Sequence, residues 1–218
     1  MPVNGVRNTA LKRAEYCAVH NKLMLDYIVG DPDLEVVVIF AFWNSYAEAR
    51  DYANGAGVIL KDELVAVPTG AADDLPDAQR IPAVAGLMRA DLQALVAAGK
   101  RVVILGPLPQ PGFNLPDRLA RDIWLGRDPA PRWIIPEAAF ADYAVAAQGM
   151  LRAAASGLEG VSVLDLSPLF CAKGGNCQMV LDGRPLFFDG NHLSLAGSAL
   201  VAEPLADAVQ AASAAGDN

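Results

Sequence analysis

The chain is poor in basic residues, histidine and cysteine, and each shortage argues against a class of function. Its 218 residues include 17 Lys and Arg against 25 Asp and Glu, which gives a formal net charge of −8. Phosphate backbones and anionic membrane surfaces repel such a protein, so nucleic-acid binding is not expected. Two histidines and three cysteines, in no zinc-ligand spacing, argue against a dedicated metal site. We therefore expect a neutral or weakly charged partner and no cofactor.

Long hydrophobic runs are also absent. The apolar run at residues 36–43 falls far short of the roughly 20 residues that a membrane-spanning helix needs. Residues 1–7 lack the apolar segment of a signal peptide. The sequence as given therefore predicts no membrane span and no export signal, which by itself favours the cytoplasm.

The chain is rich in apolar residues, which make up 53% of it. This content and the length predict one α/β domain over residues 1–218, since two domains would be cramped. Only the polar, Ala-rich end at residues 213–218 is predicted to be disordered. No internal repeat or low-complexity linker divides the chain.

Three apolar segments rich in β-branched residues alternate with helical patterns. The segments, typical of strands buried on both faces of a parallel sheet, are residues 36–42, 101–106 and 161–166. Helices are predicted at residues 8–29, 83–98, 116–125 and 136–155 and after Ser194, and a hairpin around Asp182 and Gly183. Alternating strands and helices predict a three-layer α/β/α sandwich with a parallel sheet.

One histidine follows a carboxylate by three residues on a predicted turn. Gly190 and Asn191 predict the turn and Ser194 the N-cap of the last helix, so His192 lies at the mouth of that helix. An imidazole can take a proton from a hydroxyl and return it to a leaving group when a neighbouring acid fixes its tautomer. Asp189 is placed to be that acid. The spacing alone is weak evidence, because Asp-x-x-His also occurs at ordinary capped helix starts.

The longer segment resembles a known family. Asp-Gly-Asn-His-Leu-Ser-x-x-Gly-Ser at residues 189–198, preceded by Cys171, Cys177 and a Pro-Leu-Phe-Phe arm, resembles the last sequence block of SGNH (GDSL-type) hydrolases. It is more closely similar to the SGNH domain fused to membrane O-acyltransferases of the acyltransferase-3 family, which modify bacterial surface sugars. The resemblance implies a flavodoxin-like fold, a periplasmic location, and acyl transfer through an acyl-serine with His192 as general base and Asp189 as its orienter.

The family's nucleophile block is missing from this chain. Family members carry the serine in a Gly-Asp-Ser motif after the first strand, and no Gly-Asp-Ser occurs here. The resemblance therefore covers the C-terminal portion of the fold, without its first strands. The usual strand order places the first strand beside the third, so its loss would leave residues 36–42 as an open apolar edge.

Three explanations for the missing serine stay open. An upstream segment or another chain supplies the strand and its serine, or the chain is a catalytically inactive fragment. In the third explanation Ser45, at a strand end on the expected catalytic side, is a relocated nucleophile.

Polar and aromatic side chains follow two of the predicted strands, where open α/β sheets place their ligands. The resemblance makes Asn44 a candidate oxyanion donor and Trp43 and Tyr46 a candidate aromatic wall for the substrate. The same residues also fit a polar helix cap with an aromatic flank. The Pro-rich loop at residues 107–112 is either a second substrate wall or a plain connector.

The cysteines leave two possibilities open. Cys171 and Cys177 bracket a short glycine-containing loop that fits either a disulfide ring, suited to an oxidising compartment, or two free thiols. Cys17 is predicted to be a buried structural thiol, and Ser162 is predicted to be buried in its strand.

Two functions follow from these observations. The first is a carbohydrate O-acyltransferase or esterase domain. Its partners would be a carbohydrate acyl acceptor or ester substrate, and a membrane acyltransferase domain or missing N-terminal segment. The second is a non-catalytic glycan-binding or interaction module on the same fold, which uses the aromatic wall of Trp43 and Tyr46.

Overall fold

The computed structural model describes residues 3–10, 14–48, 51–55, 59–60, 65–127, 134–172 and 174–215. The α-helices in these ranges are α1 (Ala14–Gly30), α2 (Asp77–Ala97), α3 (Leu115–Trp124), α4 (Glu137–Ala155) and α5 (Leu195–Ala214). The strands are β1 (Val6–Asn8), β2 (Val36–Ile39), β3 (Tyr52–Ala53), β4 (Ile59–Leu60), β5 (Ala66–Pro68), β6 (Arg101–Leu105), β7 (Ile134–Pro136), β8 (Val161–Leu164), β9 (Asn176–Gln178), β10 (Val180–Leu181) and β11 (Arg184–Pro185). No described helix combines the length and the apolar character that crossing a membrane requires.

The central sheet consists of three parallel strands in the order β2, β6, β8. Val37 lies opposite Val102, and Ile104 lies opposite Val163. The connections between these strands run through α2 and α4, as parallel pairing requires. The predicted α/β architecture with a parallel sheet is confirmed.

Helices cover both faces of this sheet because successive side chains of a strand point to opposite faces. On one face, Val102 and Ile104 of β6 pack in a core with residues of α1, α2 and α4. On the other, Val103 and Leu105 pack with Val201 and other residues of α5. The result is a three-layer arrangement with β6 at its centre.

The prediction that all three strands are buried on both faces is correct for β6 and wrong for β2 and β8. Val38 of β2 and Val163 of β8 are 42% and 37% exposed, and Ser162 is also exposed. Both strands lie at the outside of the described sheet, so one side of each lacks a neighbour. The predicted segments at 36–42 and 161–166 are also shorter as strands, since β2 ends at Ile39 and β8 at Leu164.

The two ends of the chain differ from prediction. The N-terminal segment begins with β1, which pairs with β5, before α1; residues 11–13, where the predicted helix would start, lie outside the described residues. The C-terminal helix continues through Ala214, and Arg101 donates a hydrogen bond to the carbonyl of Ala215 over 2.9 Å. Residues 213 and 214 therefore belong to α5, residues 216–218 lie outside the described residues, and the disorder of this end stays a prediction.

Candidate active site

His192 lies just before α5, on a turn at residues 189–192 that follows a short arm at residues 185–188. The hairpin of β10 and β11 turns at Asp182 and Gly183, both with positive φ, as the sequence predicts. Farther along, the N–H of Phe188 donates to the carbonyl of His192 over 3.0 Å. Ser194 is the N-cap of α5, since its hydroxyl accepts the N–H of Gly197 and donates to the carbonyl of Pro185.

The carboxylate of Asp189 contacts His192 with both oxygens. Oδ1 accepts the backbone N–H groups of Asn191 and His192 over 2.9 and 2.8 Å, and Oδ2 lies 2.8 Å from Nδ1 of His192. A carboxylate only accepts, so Nδ1 carries the proton of this contact and Nε2 is the basic nitrogen. The Phe188 ring stacks on the imidazole at a centroid distance of 5.5 Å. The histidine is therefore held in one tautomer and one orientation.

The same contacts control the charge of Asp189. Partial burial alone would raise the pKa of this carboxyl. The two backbone N–H groups, the imidazole hydrogen bond and the charge of His192 outweigh burial and hold the pKa below its ordinary value of 3.8. Asp189 is thus ionised at neutral pH, while the His192 side chain is 66% exposed and open to a substrate.

His192 lines a cleft of about 220 Å³ at the C-terminal ends of β2 and β6. This is the edge at which open α/β sheets place ligands. Its lining residues come from the segment after β2, the Pro-rich loop after β6, and the histidine turn: Phe40, Ala41, Phe42, Trp43, Asn44, Pro107, Leu108, Gln110, Asn191 and His192. None of these side chains offers a hydroxyl or a thiol, so the described lining contains a base but no nucleophile.

Asn44 reaches this cleft from a 3₁₀ turn, Trp43–Tyr46, that follows β2. Its Nδ2 donates to the carbonyl of Tyr143 in α4 over 2.9 Å. A primary amide has two N–H groups, so a second one is left for a ligand. The structure therefore brings Asn44 and His192 to one cleft, in keeping with a donor role for Asn44.

The two residues of the predicted aromatic wall are largely buried. Trp43 and Tyr46 are 1% and 2% exposed, their rings lie 5.5 Å apart within the core, and the indole N–H of Trp43 donates to the carbonyl of Leu105. These rings fix the 3₁₀ turn on the sheet, and Trp43 also borders the cleft, whereas Tyr46 does not line it. Phe40 and Phe42 are the other aromatic residues of the lining.

Ser45 does not meet the requirements for a nucleophile. Its residue is 6% exposed, and its hydroxyl donates to the carbonyl of Phe42 over 2.8 Å. It is not among the residues that line the cleft with His192. The short turn directs this side chain back toward its own backbone, so the relocated-nucleophile explanation is dropped.

Two residues of the site region escaped the sequence analysis. Gln110, in the Pro-rich loop, is 4% exposed and lines the cleft. Arg80 of α2 is fully buried and donates to the backbone carbonyls of Tyr46, Ala47 and Ala66, which holds the end of the 3₁₀ turn. A polar residue in a loop and an arginine in a helix carry no sequence signal of such contacts.

A disulfide lies close to the histidine arm in sequence. Cys171 and Cys177 are joined with an S–S distance of 2.06 Å, and Cys177 lies fully buried in β9, which pairs with β7. Cys17 is a free thiol that is only half-buried, contrary to the prediction of a buried one.

Comparison with known proteins gives one family. A family model described as an SGNH domain (fused to AT3 domains) matches residues 1–207. No curated protein matches the chain significantly.

Proposed function

Since the chain belongs to the family of SGNH domains fused to AT3 domains, we propose that it supplies the base and its orienter to a Ser-His-Asp acyl-transfer site that acts on cell-surface carbohydrate. The observation that carries this proposal is the 2.8 Å contact between Asp189 and His192 at the rim of the cleft. A histidine so placed performs general acid–base catalysis.

The proposed reaction has two steps, the formation of an acyl-serine and its breakdown. In the first step, Nε2 of His192 takes the proton of a serine hydroxyl while the serine oxygen attacks the acyl carbonyl of the donor ester. The protonated imidazole then gives that proton to the leaving oxygen of the donor, whose bond to the acyl carbon breaks. In the second step, His192 takes a proton from water or a sugar hydroxyl, and the oxygen of that group bonds to the acyl carbon. The bond from the acyl carbon to serine breaks, and the imidazolium gives the proton to the serine oxygen. Asp189 stabilises the imidazolium in both steps, and the free N–H of Asn44 stabilises the oxyanion.

The free edge of β2 is the place where a serine can be added. Arg101 donates its N–H to the carbonyl of Glu35 on one side of β2. Hydrogen bonds alternate along a parallel strand, so the N–H and C=O groups of Val36 and Val38 face the other side, where the described sheet has no neighbour. A parallel strand paired there ends beside Phe40 to Asn44, at the cleft.

The surroundings of this edge fit such a strand. A groove of about 370 Å³ runs along β2, with apolar side chains from α1 and β2 on its walls, among them Met24, Leu25, Ile28, Val37, Val38 and Phe40. Phe40 is 49% exposed. An apolar strand edge that is exposed to water tends to pair with other molecules. We therefore expect the active protein to cover this edge. We propose that a strand bearing the serine, from outside residues 1–218 or from another chain, lies here.

The glycan-binding alternative loses its main support. It depends on an aromatic wall of Trp43 and Tyr46, and both residues are largely buried, with only Trp43 at the cleft. The disulfide between Cys171 and Cys177 favours an oxidising compartment, which supports a periplasmic site of action beside a membrane acyltransferase domain.

The test compares two proteins: residues 1–218 alone, and residues 1–218 joined to a strand that carries the Gly-Asp-Ser block, which together form the full-length product. We expect the full-length product to cleave p-nitrophenyl acetate and to react with a fluorophosphonate probe on a serine, and residues 1–218 to do neither. His192→Ala in the full-length product lowers cleavage by at least about 10²-fold. An unchanged thermal unfolding midpoint controls for folding. Full activity of His192→Ala would refute the proposal.

A further inference from the structure

The side-chain amide oxygen of Gln110 is buried and has no hydrogen-bond partner among the described residues. The residue is 4% exposed, and its Oε1 accepts no hydrogen bond from any described residue. It lines the same cleft as Asn44 and His192. A buried amide oxygen that lacks a donor costs free energy, so such a group requires an explanation.

The loop around Gln110 is held in place on both sides. Asn54 donates from Nδ2 to the carbonyl of Pro111 over 2.9 Å. The N–H of Gly112 donates to the carbonyl of Gly190 over 3.0 Å. The backbone that carries Gln110 is therefore held relative to the His192 turn before any ligand arrives, as preorganised binding requires.

The unpartnered amide oxygen of Gln110 determines which kind of ligand can bind to it. An amide oxygen accepts, so its partner has to bring an N–H or O–H donor. The acyl part of an ester has no donor, and an oxyanion has none either, whereas an alcohol has one.

We propose that Gln110 binds the hydroxyl group of the acyl acceptor and holds it beside His192. This inference rests on the proposed function and deepens it, because it assigns the acceptor half of the reaction to one residue. Gln110 accepts the acceptor's hydrogen bond or donates to a neighbouring hydroxyl, and His192 takes the proton as the acceptor oxygen bonds to the acyl carbon. The bond from that carbon to serine breaks, and the proton returns to the serine.

The experiment separates acyl donation from acyl acceptance in the full-length protein. p-Nitrophenyl acetate is the donor and methyl α-D-glucopyranoside is the acceptor. Gln110→Met keeps the length of the side chain and removes its polar atoms. We expect the ratio of acetyl transfer to p-nitrophenol release to fall about 10-fold, the effect of one lost hydrogen bond to an alcohol. Gln93→Met, an exposed position on α2, is the matched control.

Two further measurements decide the outcome. Gln110→Glu keeps an acceptor oxygen and restores part of the transfer. In residues 1–218, the side-chain ¹⁵N–¹H₂ signal of Gln110, identified by its loss in Gln110→Met, shifts on titration with the glucoside. The proposal is overturned if that signal does not move, if transfer is unaffected, or if release and transfer fall equally. Full ester cleavage by His192→Ala is a separate result, and it refutes the proposed function itself.

Discussion

The N–H of Gly112 donates a 3.0 Å hydrogen bond to the carbonyl of Gly190 and so joins the loop after β6 to the turn that carries His192. Gln110 lies on the first of these segments and the catalytic dyad on the second. Backbone contact of this kind fixes the width of the cleft independently of any side chain. Gln110, proposed to bind the acceptor, and His192, proposed to transfer the proton, thus lie on two segments that this hydrogen bond joins.

The first prediction concerns Asp189→Asn. An asparagine at this position cannot stabilise an imidazolium, and its amide can donate to Nδ1 and so favour the wrong tautomer. We expect ester cleavage by the full-length protein to fall roughly 10²–10⁴-fold, with KM little changed. Asp207→Asn, an exposed carboxylate on α5, is the control and should leave the rate unchanged. Equal rates for wild type and Asp189→Asn would show that His192 needs no orienter.

The second prediction concerns the pH dependence of stability. Asp189 has a lower pKa in the folded chain than in the unfolded chain, so its ionised form stabilises the fold above the ordinary value of 3.8. That stabilisation is lost as the pH falls through the lower, folded value. We expect wild type to unfold at a higher temperature than Asp189→Asn at about pH 5–7, and the difference to vanish in strong acid. A difference that grows in acid would contradict the assigned direction.

The third prediction concerns Gly197, where α5 approaches the arm. A Cβ built on Gly197 would lie 2.1 Å from the carbonyl oxygen of Leu186 and 3.0 Å from the Leu193 side chain. Gly197→Ala therefore forces backbone to move, and we expect it to lower the free energy of unfolding by about 1–3 kcal/mol. Gly86→Ala and Gly149→Ala, which meet nothing within 4 Å in their helices, should instead stabilise by about 0.5–1 kcal/mol. Urea unfolding measures the free energy of unfolding of all three variants. An unchanged value for Gly197→Ala would show that the backbone at Leu186 moves away without cost.

Local patterns predicted the turn that places Asp189 beside His192, whereas the catalytic roles of the pair were predicted from the family resemblance. The turn at Gly190, the cap at Ser194 and the carboxylate three residues before His192 depend on contacts within a few residues, so the sequence contains them all. The parallel sheet could also be predicted from the sequence, because strand and helix patterns alternate along the chain. Elements defined by nearby residues are the ones that sequence reasoning recovers.

Burial and long-range contacts were not accessible in the same way. The apolar run in β2 predicted burial on both sides, yet the exposure of Val38 depends on a neighbouring strand that the described residues do not supply. Trp43 and Tyr46 were assigned to the surface because family resemblance gives no direction for a side chain on a 3₁₀ turn. The Pro-rich loop at residues 107–112 was a candidate substrate wall, but Gln110 was not singled out within it, because its position depends on hydrogen bonds to residues far away in sequence.

The fourth prediction concerns the disulfide. Joining Cys171 to Cys177 closes a loop over a sequence separation of 6, and a loop this short stabilises by about 2 kcal/mol through the unfolded chain. We expect the double variant Cys171→Ala/Cys177→Ala to lose about that much free energy of unfolding in urea. Cys17→Ala, the free thiol, is the control, and a reducing agent should shift its unfolding curve as it shifts that of wild type. A wild-type curve unaffected by reduction would contradict the expected contribution.

The fifth prediction concerns the free edge of β2. Because the N–H of Val38 faces this edge and its side chain is 42% exposed, residues 1–218 alone should associate through it, and Val38→Lys should suppress the association. Val145→Lys, at a 58% exposed valine on α4, is the matched control and should not. Light scattering during gel filtration at rising concentration measures the effect.

Amide hydrogen exchange tests the same edge in the full-length protein. In residues 1–218 at low concentration the amide of Val38 should exchange much faster than that of Val103 in the central strand, since only the latter donates within the sheet. If a serine-bearing strand pairs with β2 in the full-length product, protection of Val38 should rise toward that of Val103. Equal exchange of Val38 in both proteins would place the nucleophile elsewhere, and the cover of β2 would then be unrelated to catalysis.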